Sequence, residues 1–148
     1  MNSSDYKKLF EQSSFSEVVI DTDFTIVAAY DVFLKSTNTV LKNIISKNLF
    51  EVFPENPHES IIRTSFDRVL ITKAPDTLSV VRYDIPNPDG VGFIQKYWRP
   101  THSPVLDALG NVKYIIQRVE DATENKILIE QHEKIGRASC RERVCSTV

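Results

Sequence analysis

Apolar positions alternate with polar ones near both ends of this chain and fall at helical spacing in between. Glu17 to Asp21 and Phe24 to Ala29 read as two strands joined by the turn Asp21-Thr22-Asp23. Ahead of them, Ser3, Ser4 and Asp5 suit the cap of a short amphipathic helix carrying Tyr6, Leu9 and Phe10 on one side. Tyr30 to Leu49 reads as short helical pieces, broken by polar residues around Thr37 and Lys47. Phe50 to Phe53 meets Pro54, which turns the chain out of any helix, and Pro57 marks the next boundary. The strongest helical pattern spans Glu59 to Thr72: Ile62, Phe66, Val69 and Leu70 share a face, and Arg63 and Asp67 pair on the other. At 1.5 Å per residue such a helix is roughly 21 Å long, enough to cross a sheet.

Lys73 to Asp76 ends that helix, and strand signals then return. Leu78 to Ile85, Phe93 to Pro100 and Val112 to Glu120 read as a third, fourth and fifth strand. Pro86 to Gly90 and Asp107 to Asn111 supply the loops. Alternation in the last strand puts Ile115, Gln117 and Val119 on one face and Tyr114, Ile116 and Arg118 on the other. Asp121-Ala122-Thr123-Glu124 then suits a helix N-terminus. The Asp121 carboxylate can accept from the Glu124 N–H while Glu124 closes a capping box. A charged helix, Lys126 to Glu133, continues from it, with Lys126 and Glu130 spaced for a pair.

Two strands, a block of helices, three strands and an exit helix imply an α+β domain with its helices on one face of an antiparallel sheet. A chain of 148 residues suits one domain and an adequate core. With 41% hydrophobic and 26% charged residues the composition is that of a soluble globular protein. No apolar run reaches the roughly 20 residues of a membrane span, and the polar start is no signal peptide, so a cytoplasmic location is expected.

Residues 134–148 break the helical pattern and resemble translated read-through of a sequencing adapter, so they are set aside as a non-native tail. They hold four basic side chains and one acidic; without them the net charge falls from −2 to −5. An acidic body argues against a nucleic-acid surface. Both cysteines, Cys140 and Cys145, lie in this tail, which leaves the body without a disulfide, thiolate zinc site or cysteine nucleophile.

The runs Tyr83-Asp84-Ile85-Pro86, Tyr97-Trp98-Arg99-Pro100, Pro104-Val105-Leu106-Asp107, Tyr114-Ile115-Ile116 and Val119-Glu120-Asp121 resemble PAS domains of bacterial sensor histidine kinases. The resemblance covers about residues 6 to 125 and is loosest from Tyr30 to Pro57. It implies a five-stranded antiparallel sheet roofed by helices, with residues 1–14 as a cap helix, 15–121 as the PAS domain and 122–133 as the start of a signalling helix. It also implies that Val119 faces a ligand cavity, and Gln117 beside it would need a ligand, water or neighbouring side chain as partner. Ile62, Phe66 and Leu70 would form the opposing wall, unless their stripe is simply core. Asp121, Thr123 and Glu124 would couple the sheet to the exit helix.

The implied function is a sensory or interaction module, the input domain of a histidine kinase, passing a ligand or partner signal to a downstream output domain. A homodimer is expected, and no enzymatic activity of this polypeptide itself. A ligand-free dimerisation module, or the input domain of a diguanylate cyclase or transcription regulator, are the alternatives. The cofactor stays open. The Asn-Cys-Arg-type motif of the flavin-binding PAS class is absent from the body. His58 is the histidine nearest to where a haem ligand would sit, but a loop residue explains it as well. His58, His102 and His132 are too dispersed for metal-ligand spacing. Nothing places Ser, His and Asp as a triad, and Asp89-Gly90-Val91-Gly92 lacks the spacing of a phosphate loop.

Overall fold

A computed structural model describes residues 15–55 and 60–124. The helices expected at residues 1–14 and over Lys126 to Glu133, the tail from Lys134, and His58 and His132 lie outside the described residues. Two strands open the fold, β1 (Glu17–Asp21) and β2 (Ile26–Ala29), followed by the helices α1 (Asp31–Thr37), α2 (Leu41–Ile44), α3 (Leu49–Val52) and α4 (Ile61–Thr72). Four short strands come next: β3 (Asp76–Thr77), β4 (Val81–Arg82), β5 (Ile85–Pro86) and β6 (Phe93–Ile94). Two long ones close the chain, β7 (Tyr97–Leu106) and β8 (Val112–Asp121).

The main sheet runs β2-β1-β8-β7-β3, with β4 beside β3 on the same edge of β7, and every pairing is antiparallel. First and last strands therefore sit side by side, and β8 is paired along both edges, with β1 and with β7.

The third strand differs from its expected course. Thr77 pairs with Thr101 and Val81 with Trp98, so four steps on one strand match three on the other. The extra residue is a bulge, and its cause lies across the ladder. Leu78 donates to Pro100 O at 2.9 Å, so Pro100 faces this edge, where proline has no N–H to return. Ile85, expected to finish that strand, pairs instead with Ile94 in a separate two-stranded ribbon that also takes Phe93. The fourth strand consequently starts at Tyr97 and continues past Pro100 to Leu106.

Both expected turns at the sheet's tips form. Asp107 Oδ1 accepts from Leu109 N at 2.9 Å and Asn111 N at 3.0 Å, and Gly110 takes the left-handed φ of 82° that the turn requires. At the same end of the sheet, Asp21 Oδ1 accepts from Asp23 N and Thr25 N, at 2.9 and 3.0 Å.

The core lies between the sheet and the helices. Val18 and Ile20 of β1, Ile115 of β8 and Phe66 and Val69 of α4 are fully buried there. Phe66 anchors an aromatic group, with ring centroids 5.3 Å from Phe24, 5.8 Å from Phe50 and 4.4 Å from His102. Phe24 holds a left-handed φ of 67° to join it, a conformation that costs an aromatic residue about 1–3 kcal/mol elsewhere recovered by packing. On the opposite face of the sheet, Glu17 is buried beneath its cross-strand neighbour Arg118, whose Nη2 meets Glu17 Oε1 at 2.6 Å. Arg118 in turn stacks on Phe15 at 4.0 Å.

Candidate cavity and strand terminus

Between the sheet and the helical block lies a cavity of about 520 Å³. That size lies within the usual range for small-molecule pockets, roughly 300–1,000 Å³. Its floor is the inward face of the two central long strands: Trp98 and Pro100 from β7, Gln117 and Val119 from β8. Phe33 and Thr37 of α1 and Phe50 and Phe53 around α3 form the roof, and Ile61 and Ile62 at the start of α4 a side wall. Strand alternation explains the floor, since residues two apart share a face. Helices too short to cover the sheet explain the void above it.

Of the six residues expected to face a ligand, three line this cavity: Ile62, Gln117 and Val119. Phe66 and Ile115 are fully buried in the core beside it, and Leu70 packs against that core half-exposed. The stripe Ile62, Phe66, Leu70 is therefore mostly core, because only Ile61 and Ile62, in the first turn of the long helix, reach the cavity.

A chain of polar contacts leads inward from the surface to Gln117. Arg68 Nη2 lies 2.8 Å from Asp76 Oδ2, and the same oxygen accepts from Ser65 Oγ at 2.5 Å. Ser65 Oγ is 2.7 Å from His102 Nδ1, and His102 Nε2 is 3.0 Å from Gln117 Nε2. Ser65 and His102 are both at 0% exposure. Burial pushes the His102 imidazole down to about 4, against the pull of the Asp76 charge, so the ring is neutral at pH 7. The Arg68 and Ser65 hydrogen bonds hold the Asp76 carboxyl below its ordinary value.

Counting protons orders the chain. The single Ser65 proton goes to Asp76, so His102 Nδ1 must donate to Ser65 Oγ. A neutral ring then leaves Nε2 as an acceptor for the Gln117 amide N–H. The Gln117 carbonyl Oε1 and its second amide N–H stay outside this bond, on a residue that lines the cavity. Asp76, Ser65 and His102 stand in an order unlike a nucleophilic triad, because here the serine lies between acid and imidazole and is fully buried.

Two further polar groups mark the cavity wall. Glu55 uses Oε1 to accept from Arg63 N at 3.0 Å, which ties it to the first turn of α4. Its Oε2 is buried with no partner among the described residues. Burial raises the Glu55 carboxyl, opposed by the Arg63 and Ile62 backbone bonds and the Arg63 charge. Burial and the Glu55 charge together raise the Tyr83 hydroxyl. Arg63 does not close on Glu55: its guanidinium sits 4.1 Å over the Phe50 ring. Arg82 and Asp84 also line the cavity but satisfy one another, at 3.1 and 3.0 Å. The Trp98 indole N–H is spent on Tyr83 O at 2.8 Å.

Beyond Val119 the strand ends in a tight clasp. Ala122 N donates to Tyr97 O at 2.8 Å, and Tyr97 N donates to Thr123 Oγ1 at 2.9 Å. Asp121 Oδ2 meets Lys96 Nζ at 2.7 Å. Its Oδ1 accepts from Thr123 N at 3.0 Å, one residue short of the Glu124 N–H that a capping box would use. Glu124 is exposed and adds no hydrogen bond to the clasp among the described residues. Asp121 is still part of β8, so its side chain closes a two-residue turn in place of a full cap. Burial pushes the Asp121 carboxyl up, but the Lys96 and Thr123 hydrogen bonds outweigh it and hold the group below its ordinary value.

No family model and no curated protein matches this sequence. Solved structures do match its fold. The chain is similar to an RNA-binding Light-Oxygen-Voltage receptor, with 19% identity and a TM-score of 0.68 over 95% of this chain and 38% of that one. It is similar to a sensory box sensor histidine kinase from Vibrio cholerae, with 22% identity and a TM-score of 0.55 over 80% and 89% of the two chains. It is also similar to the PAS domain of the fruit-fly ELK potassium channel, with 16% identity and a TM-score of 0.60 over 83% and 99%. The chain thus spans well under half of the receptor's length. The described residues have the α+β PAS fold. Among them, no helix is long and apolar enough to cross a membrane.

Proposed function

We propose that this chain is a sensory PAS domain that binds a small molecule in the cavity above Gln117 and Val119 and passes occupancy along β8 to the helix leaving it. The supporting observation is continuity. Val119 lines the cavity, Asp121 ends the same strand two residues later, and the clasp to Lys96 and Tyr97 joins that end to the neighbouring strand. A shift of β8 is then delivered to residues 122–124 instead of being lost in a slack joint. Typical coupling of about 1–3 kcal/mol between sites is enough for such a relay.

In this reading the polypeptide has no catalytic activity of its own. It acts in a cytoplasmic homodimer as the input module of a histidine kinase, in keeping with the Vibrio cholerae neighbour. Native mass spectrometry of the purified chain tests ligand capture: a bound small molecule released on denaturation supports sensing, and the bare chain mass in every preparation contradicts it.

A further inference from the structure

The polar groups left over in the cavity define what it accepts. One buried oxygen lacks a partner among the described residues, Glu55 Oε2, and the Gln117 amide, which bonds His102 through Nε2, lines the same cavity with its carbonyl Oε1 outside that bond. No protein donor among the described residues reaches Glu55 Oε2, although the Tyr83 hydroxyl and the second Gln117 amide N–H line the same cavity. The Trp98 N–H is spent on Tyr83 O, and the Arg82 guanidinium is held by Asp84. The Arg63 guanidinium stacks on the outer aromatic cluster. A buried carboxylate oxygen without a donor is costly, and an ionised guest nitrogen is the strongest partner it could gain. The remaining wall is aromatic and aliphatic, with Phe33, Phe53 and Trp98 presenting apolar surface and ring faces.

We propose that the cavity selects a small organic cation, with an apolar body against the aromatic walls and N–H groups donated to Glu55 Oε2 and Gln117 Oε1. This deepens the sensory assignment and rests on the cavity being a ligand site. The Glu55 bond to Arg63 N also gives such a ligand a grip on the start of α4. Anions of similar shape are expected to bind more weakly, because they would meet the Glu55 carboxylate.

The chain has one tryptophan, and it lines the cavity, so fluorescence of Trp98 in the full 148-residue chain reports occupancy. Three probes share a phenylethyl body and carry head groups of different charge: 2-phenylethylamine, 2-phenylethanol and 3-phenylpropionate. The amine is expected to bind at least about tenfold more tightly than the carboxylate, as a charge-assisted hydrogen bond implies. In Glu55→Gln, which keeps an acceptor for Arg63 N, that preference is expected to vanish while 2-phenylethanol binds as before. Equal or tighter binding of the carboxylate, or an unchanged preference in Glu55→Gln, overturns the cation inference and leaves a ligand-binding sensor standing. Silence toward all three probes also overturns it, and the mass-spectrometric test then decides the sensory assignment separately. The charge series in the unmutated chain needs no variant to fold.

Discussion

His102 and Gln117 sit directly opposite each other on β7 and β8, and their side chains meet at 3.0 Å across the ladder. One ring nitrogen thus fixes the amide of a cavity residue, while the other leads through Ser65 to the Arg68–Asp76 pair outside. Cavity chemistry and the packing of α4 on the sheet are joined through a single imidazole.

Removing the middle of that chain is expected to be costly. Ser65→Ala leaves the His102 Nδ1 proton without an acceptor in a fully buried site. A loss of about 1–3 kcal/mol follows from one unsatisfied buried donor, measured as a lowered urea midpoint at unchanged m-value. A loss below a few tenths of a kcal/mol would mean that the hydrogen bond is not made in solution.

The same imidazole makes stability depend on pH. Its folded value of about 4 lies below the 6.5 of an unfolded histidine, so between these the unfolded chain binds more protons. Stability is fully present above pH 6.5 and declines as pH falls toward 4, by about 3 kcal/mol for this one group. Asp76 and Asp121, both held below 3.8, add their losses only at lower pH. His102→Gln is expected to flatten the upper part of the curve, and thermal melts at intervals of half a pH unit check it.

Phe66 touches the ring of His102 and the rings of Phe24 and Phe50, and it is fully buried. Phe66→Ala is expected to destabilise by about 3–5 kcal/mol, the usual cost of an aromatic deletion from a packed core. Ile61→Ala, at an exposed edge of the cavity wall, is expected to cost under about 1 kcal/mol by chemical denaturation.

Much of this architecture is legible from alternation and turn chemistry. The pairing of β1 with β2, the Asp107 turn and the inward set Ile115, Gln117 and Val119 all follow from period-two patterning and Asx geometry. His102 is hidden by the reading that ends its strand at Pro100. Once β7 is allowed to run through that proline, Trp98, Pro100 and His102 fall on one face two apart, and the histidine must point inward. Its partners Ser65 and Asp76 come from an α4 face and a helix-to-strand corner, separated by 37 and 11 residues from their hydrogen-bond partners, so no local spacing announces them. Glu55 is equally hidden, because it reaches the first turn of α4 from outside the helix, eight residues before its partner. The broken third strand follows from a missing N–H on a neighbouring strand, which only the sheet order reveals.

At the clasp, Asp121→Ala removes the Lys96 pair and the Thr123 turn bond. Both lie near the surface, so a stability loss of about 1 kcal/mol or less is expected. Signal output in a receptor carrying this domain should fall while probe affinity stays within about twofold. A parallel loss of both would place Asp121 in the ligand site instead of in the relay.

Hydrogen–deuterium exchange with the cavity empty and then saturated tests the relay most directly. Occupancy is expected to change exchange at the Tyr97, Ala122 and Thr123 amides, while the Asp107–Asn111 turn at the far tip of the same strands stays as it was. Protection confined to the cavity walls, with those three amides unmoved, would contradict transmission through β8.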